Sequence, residues 1–200
     1  MDSTNAAATA ILRTPVPDAV LDTIAGTADR GVKARAVQWL DIYHAPPRCF
    51  AGRAARRTAV TDVSLASALG GAGAGEDALT LVCEVDITED SLSAADTLAN
   101  AVLVAVIDEC VSAAVSAHDF AWGGPGMSGV SLSLNTVFHH PVELGVRLRL
   151  INTTLAVTPG TTSCRSEVWD LAHARLVATA VFVGMAPRAL TSSVPRRAKL

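Results

Sequence analysis

Two adjacent acids, Asp108 and Glu109, interrupt residues 98–118, which are otherwise small or apolar almost throughout. This segment has the length and composition of a single helix that is apolar on every face, and such a helix belongs in a protein core. An unpaired carboxylate in a core costs several kcal/mol, so its presence needs a reason. Acid–base or nucleophilic catalysis is one such reason, because buried acids are enriched at functional sites.

Asp108 is the stronger catalytic candidate of the two. Its helical neighbours three and four positions away are Val104, Ala105, Val111 and Ser112. This small, apolar face predicts that Asp108 opens into a dry pocket, where a carboxylate is a stronger base than in water. A structural alternative remains open, in which Asp108 caps a loop or pairs with an arginine. Glu109 is expected to face another direction and to be structural.

The segments around this helix predict an α+β fold in which an antiparallel sheet wraps one helix. Period-two alternation, as in residues 130–134 and 146–150, is typical of half-buried strands. The predicted strands are residues 61–69, 79–88, 129–138, 145–157, 162–170 and 175–186. A helical pattern starts near Asp18 and stops at Pro46-Pro47, as one long or two short helices. We therefore divide the chain into an N-terminal helical extension (1–58), a main domain (59–187) and a flexible tail (188–200).

Composition excludes several classes of function. The chain has 200 residues, half of them hydrophobic, and a formal net charge of −3. Acids outnumber lysine and arginine, which argues against nucleic-acid binding. The longest uninterrupted apolar run, residues 101–107, is far shorter than the roughly 20 residues of a membrane span.

Neither the cysteines nor the histidines predict a metal site. The four cysteines show no Cys-x-x-Cys spacing, which favours a reducing compartment over zinc binding or a disulfide framework. His139 and His140 are adjacent on a predicted strand and point to opposite faces, so they cannot share a metal ion by themselves. The glycine-rich residues 124–129 match a dinucleotide loop literally. They precede a strand and not a helix, however, so we interpret them as a link.

The chain finishes with Ala198-Lys199-Leu200, a close variant of the Ser-Lys-Leu address of peroxisomal proteins. The preceding residues from Thr191 onward are rich in serine, proline and basic side chains, which is typical of an unstructured tail. We expect a peroxisomal import receptor to bind this tail and the protein to reside in a peroxisome or related organelle.

Three stretches of this sequence resemble the hotdog-fold acyl-CoA thioesterases of the PaaI-like group. They are residues 105–109, residues 129–135, and Phe138-His139-His140-Pro141 with Leu144-Gly145. The resemblance covers roughly residues 59–187. It implies a curved antiparallel sheet around a long helix, hydrolysis of an acyl-CoA thioester, and a homodimer or homotetramer with pockets at the subunit interface. It implies no cofactor apart from the coenzyme A of the substrate.

The resemblance also assigns roles to particular residues. Asp108 corresponds to the carboxylate that activates water or attacks the thioester, and Ser131 to a serine that assists it. The substrate-binding candidates are Ser93, Ala99, Ala101, Thr161 and Thr162. Arg48, Arg53, Arg56 and Arg57 form a basic cluster that either binds the phosphates of coenzyme A or is simply solvated.

The start of the helix departs from the family pattern. Where the family usually has His-Gly-Gly, this chain has Ala99-Asn100-Ala101. Asn100, with the backbone amide of Ala101, either donates to the oxyanion of the reaction or only caps the helix. The missing histidine supports an alternative function, a non-hydrolytic hotdog protein that binds acyl-CoA or acts as an assembly partner. A hotdog hydratase is a third possibility.

Overall fold

The computed structural model describes residues 8–45, 50–66, 78–158 and 160–185. Arg48, Cys49 and the C-terminal address at 198–200 lie outside these ranges. The helices are α1 (Asp18–Leu21), α2 (Arg30–His44), α3 (Gly52–Ala55) and α4 (Asn100–Ala121), with a 3₁₀ turn at Glu89–Ser91. The strands are β1 (Ala59–Ala66), β2 (Ala78–Asp86), β3 (Val130–Phe138), β4 (Arg147–Val157), β5 (Thr162–Asp170) and β6 (Arg175–Met185).

Helix α4 is the predicted apolar helix, and it begins two residues later and ends three residues later than expected. Every side chain from 109 to 118 is buried. By length and composition α4 could also cross a membrane, but 72% of its most apolar 18-residue window is buried inside the protein. This burial is what a core helix requires.

All six strands form one antiparallel sheet in the order β1-β2-β4-β5-β6-β3. Burial alternates along β2 and β5, so each presents one face to α4 and the core and the other away from it. The sheet wraps α4, which confirms the predicted α+β hotdog architecture. Within the described residues the predicted strand limits differ from the observed ones by at most two residues, and the predicted strand residues 67–69 and 186 lie outside the described ranges.

The N-terminal extension packs against the same core. Helix α2 starts where the Asp29 side chain accepts a hydrogen bond from the Val32 amide, at 2.9 Å. Its buried side chains, Ala36 and Leu40 among them, join the core cluster around α4. Upstream, the Ala25 backbone forms an isolated bridge with Asp62 of β1. The extension therefore covers part of α4 and one edge of the sheet.

Candidate active site

Asp108 of α4 and Ser131 of β3 meet between the helix and the edge strand. The Ser131 hydroxyl donates a hydrogen bond to Asp108 Oδ1 at 2.9 Å. Burial raises the pKa of Asp108 above its ordinary value, and the bond from Ser131 opposes that rise. The Asp108 side chain is half-buried and the Ser131 side chain is exposed. The carboxylate is thus a strengthened base within reach of a ligand.

No arginine pairs with Asp108 among the residues that the structure describes. The alternative of a structural ion pair therefore has no support in the described part of the chain. A carboxylate oriented by a hydroxyl can remove a proton from water or attack a carbonyl carbon.

Glu109 lies on a different and deeper face of the helix, as the sequence predicts. Its side chain is only 7% exposed, and its Oε2 has no hydrogen-bond partner among the described residues. Burial, and secondly the charge of Asp108, raise the pKa of Glu109 to about 7. A proton on this carboxyl is therefore favoured up to neutral pH.

Tyr43, a residue that sequence reasoning missed, reaches this part of α4 from α2. Burial raises the pKa of Tyr43; a side-chain hydrogen bond with Ser112 opposes the rise, and the charges of Asp108 and Glu109 add to it. Ser112 is four residues after Asp108 and three after Glu109, so it shares a helix face with each. Tyr43 is the chain's one tyrosine, and no motif links it to the acidic pair.

Asn100 stands at the start of α4, beside a recess of about 330 Å³. The N-cap residue is Ala99, so the interpretation of Asn100 as the capping residue is wrong. The first intrahelical bond runs from the Val102 amide to the Ala99 carbonyl oxygen at 2.9 Å. The amides of Asn100 and Ala101 precede it, at the positive end of the helix dipole.

Two histidines from the end of β3 line the same recess, a proximity that the sequence did not reveal. A ring nitrogen of His139 lies 3.1 Å from Thr179 Oγ1, and one of His140 lies 2.8 Å from the Leu176 carbonyl oxygen. They place imidazole groups near the start of α4, although residue 99 itself is an alanine. His140 Nδ1 already donates to the Leu176 carbonyl oxygen, so of the two neutral rings only that of His139 can donate to an oxygen that gains negative charge.

The remaining substrate-binding candidates lie in separate places. Ser93 is in the turn before α4, where its hydroxyl accepts a hydrogen bond from the Ala95 amide at 3.2 Å. Thr161 is in the β4–β5 turn, where its amide donates to Thr158 Oγ1 at 3.1 Å. Thr162 and Ser131 both align with Gly184 of β6, on opposite sides. Of these candidates, Thr162 is therefore the one that lies in register with Ser131 across the sheet, with β6 between their two strands.

The arginine cluster is partly engaged within the protein. Arg57 donates to Asp90 Oδ1 at 2.9 Å and to Ser91 Oγ at 3.0 Å. Hydrogen bonds from Arg57 and, secondly, from Thr88 lower the pKa of Asp90 to about 2. Arg53 is 4.0 Å from the same carboxylate. Arg57 thus already forms an ion pair within the protein, which makes it a weaker candidate for binding the phosphates of coenzyme A.

Within the described ranges, no group of three or more histidine, cysteine or acidic side chains is placed to hold a metal ion. Cys83, Cys110 and Cys164 are free thiols buried in the core.

Residues 95–176 match the model of the thioesterase superfamily. No curated protein matches the chain. Among solved structures, thioesterase superfamily member 2 from zebrafish is 17% identical with a TM-score of 0.58, and the match covers 75% of this chain and 94% of that one. The mouse protein of the same name is 14% identical with a TM-score of 0.52, covering 68% and 86%. The predicted resemblance to hotdog-fold thioesterases is thereby confirmed.

Proposed function

We propose that this protein hydrolyses an acyl-CoA thioester to a free acid and coenzyme A. The observation on which the proposal depends is the Asp108 carboxylate, which is half-buried on the core helix and accepts a hydrogen bond from the Ser131 hydroxyl. The match of residues 95–176 to the thioesterase superfamily supports a thioesterase-type function. No cofactor is needed beyond the coenzyme A that the substrate carries.

Asp108 is the base or the nucleophile in this mechanism. As a base it takes a proton from water while the water oxygen bonds to the thioester carbon; as a nucleophile it makes that bond itself and water cleaves the resulting anhydride. In either route the carbonyl oxygen becomes an oxyanion, and the carbon–sulfur bond breaks to release the thiol. Ser131 keeps one carboxylate oxygen fixed so that the other can react.

The start of α4 offers hydrogen-bond donors that can stabilise the oxyanion formed from the thioester carbonyl. Asn100, the Ala101 amide and the imidazole of His139 stand at the positive helix end beside the recess. Asn100 precedes Asp108 by eight residues, or about 12 Å along the helix axis. Groups that far apart in one chain cannot act on the same carbonyl. We therefore propose a homodimer or homotetramer in which Asp108 of one protomer and the α4 start of its partner share a substrate.

A second candidate function is acyl-CoA binding or assembly without hydrolysis. It is favoured by a specific observation, the Ala99-Asn100-Ala101 sequence where related proteins usually have His-Gly-Gly. An acyl-CoA-binding protein would use the same site as the hydrolase and differ from it only in turnover, whereas an assembly partner would need neither binding nor turnover.

Free-thiol release separates the two candidates. The substrates are acetyl-, octanoyl-, palmitoyl- and phenylacetyl-CoA, and the proteins are the wild type, Asp108→Asn and the control Glu89→Gln, which changes an exposed acid outside the site. We expect Asp108→Asn to lower kcat by about 100-fold or more, because the base or nucleophile is lost. Glu89→Gln should match the wild type. Unchanged turnover in Asp108→Asn would contradict the mechanism, and binding without turnover in the wild type would favour the second candidate.

A further inference from the structure

The proposed chemistry leaves the second acid of the helix unused. Glu109 is one residue from Asp108, 7% exposed, and its Oε2 is unpartnered within the described residues. Ionised Glu109 would leave a charged Oε2 without water or a donor, whereas a protonated carboxyl carries no charge to solvate. Burial and the missing donor therefore favour the neutral form of Glu109.

Among the described residues, the groups that interact with Glu109 provide no positive charge. Asp108 and Cys110 interact with it from its own helix, and Tyr43 interacts from α2. Burial and the Asp108 charge account for the raised pKa of Glu109, with no contribution from a basic side chain of the described residues. Ionised Glu109 would thus be a second, uncompensated negative charge next to Asp108.

We propose that Glu109 is a proton-bearing positioning residue for Asp108: the site works with one negative charge, on Asp108, and loses activity when Glu109 gives up its proton. This inference rests on the proposed hydrolase function. The transition state of hydrolysis adds negative charge at the carbonyl oxygen, and a second ionised carboxylate next to Asp108 would raise its energy.

The N-terminal extension maintains this arrangement. Helix α2 packs over α4, and Tyr43 is bonded to Ser112 on the faces that carry both acids. Because burial is the main cause of the raised pKa of Glu109, we expect the Tyr43 ring to shield this carboxyl from water, and its neutral hydroxyl adds no charge. In this proposal the extension helps to keep the proton on Glu109.

The decisive measurement is kcat/KM against pH, from about pH 5 to about pH 9, with the best substrate of the acyl-CoA panel. The wild type should lose activity on the alkaline side with a midpoint of about 7, the pKa of Glu109. Glu109→Gln cannot ionise, so its activity should persist through that range. Glu89→Gln is the control and should keep the wild-type profile. An alkaline loss in Glu109→Gln identical to that of the wild type would overturn the proposal.

Tyr43 offers a second pair of variants. Tyr43→Ala admits water and lowers the pKa of Glu109, so its alkaline loss should move to lower pH. Tyr43→Phe preserves the ring and the burial, so its alkaline midpoint should stay near that of the wild type. A Tyr43→Ala profile with an unshifted alkaline midpoint would contradict the role given to the extension.

A readout without turnover distinguishes failure of this inference from failure of the proposed function. The carboxyl ¹³C signal of Glu109 can be followed through pH in the wild type and in Asp108→Asn. We expect it to titrate at about 7 in the wild type and lower in Asp108→Asn, where the neighbouring charge is gone. An ordinary glutamate titration in the wild type would overturn the inference even if no acyl-CoA is hydrolysed.

Discussion

Burial and one hydrogen bond of 2.9 Å from Ser131 act in opposite directions on the protonation of Asp108, and burial has the larger effect. This bond favours the ionised carboxylate, whereas burial favours the protonated form. The two residues are 23 positions apart and on different elements. Their distance therefore depends on how β3 packs beside α4.

The first prediction at the residue scale concerns Ser131→Ala. Without the hydroxyl, the pKa of Asp108 rises, so the acid-side midpoint of kcat/KM moves to higher pH. At neutral pH we expect about a tenfold loss of activity, the effect of removing a hydrogen bond to a charged group. Ser133→Ala is the matched control, since it removes an exposed hydroxyl of the same strand. An acid-side midpoint in Ser131→Ala equal to that of the wild type would contradict the prediction.

The sequence could identify Asp108 and Ser131 because each belongs to a short motif whose role the family resemblance supplies. It could not identify Tyr43, which contacts Ser112 from 69 positions earlier in the chain. The sequence also could not predict that His139 and His140 line the same recess as Asn100. The end of β3 and the start of α4 come together only when the sheet wraps the helix. Contacts between distant segments carry no local periodicity.

At the scale of elements, the extension docks on β1 through one tight turn. Gly26 has φ +95°, and an added Cβ would come within 2.2 Å of the Val63 carbonyl oxygen. The Ala25 amide donates to the Thr61 carbonyl oxygen at 2.9 Å, so the chain runs directly against the strand here. Only glycine satisfies both the positive φ and the close approach.

Gly26→Ala should therefore loosen the extension from β1. We expect a loss of about 3 kcal/mol in the free energy of unfolding, measured with urea, from the unfavourable φ and the steric clash together. Gly123→Ala is the control: φ is +80° there, but nothing lies within 4 Å of the added Cβ. It should lose only about 1 kcal/mol. Equal losses in the two variants would show that the contact with Val63 does not matter.

The strands and the central helix were predictable because their sequence signals are local and strong. The strands show period-two alternation of apolar and polar residues, and α4 is a long, continuously apolar segment. The packing of α2 was not predictable, since its helical pattern says only that one face is buried and not against which element. Buried side chains from the described part of the 1–58 extension belong to the same core cluster as those of the main domain.

At the scale of the whole molecule, the two edges of the sheet differ. The β1 edge is partly covered by the bridge at Ala25, whereas β3 is the other outermost strand and is largely exposed. Val130, Leu132 and Val137 of β3 are each more than half exposed. An open edge with apolar side chains favours pairing with another strand. The proposed sharing of a substrate requires contact between protomers, and we propose that this edge provides it.

Val137→Lys tests this assembly without touching Asp108 or Ser131. Val137 is 57% exposed, so the lysine should be tolerated in a monomer, but a charge on the edge opposes strand pairing. We expect the wild type to have the mass of a dimer or tetramer by light scattering, and the variant to dissociate at about tenfold higher protein concentration or more. Because each site needs a partner's α4 start, thiol release should fall as the mass falls. Leu155→Lys on β4, a strand separated from β3 by β5 and β6, is the control with similar exposure, 55%. A Val137→Lys protein that is monomeric yet fully active would show that a single chain holds the complete site.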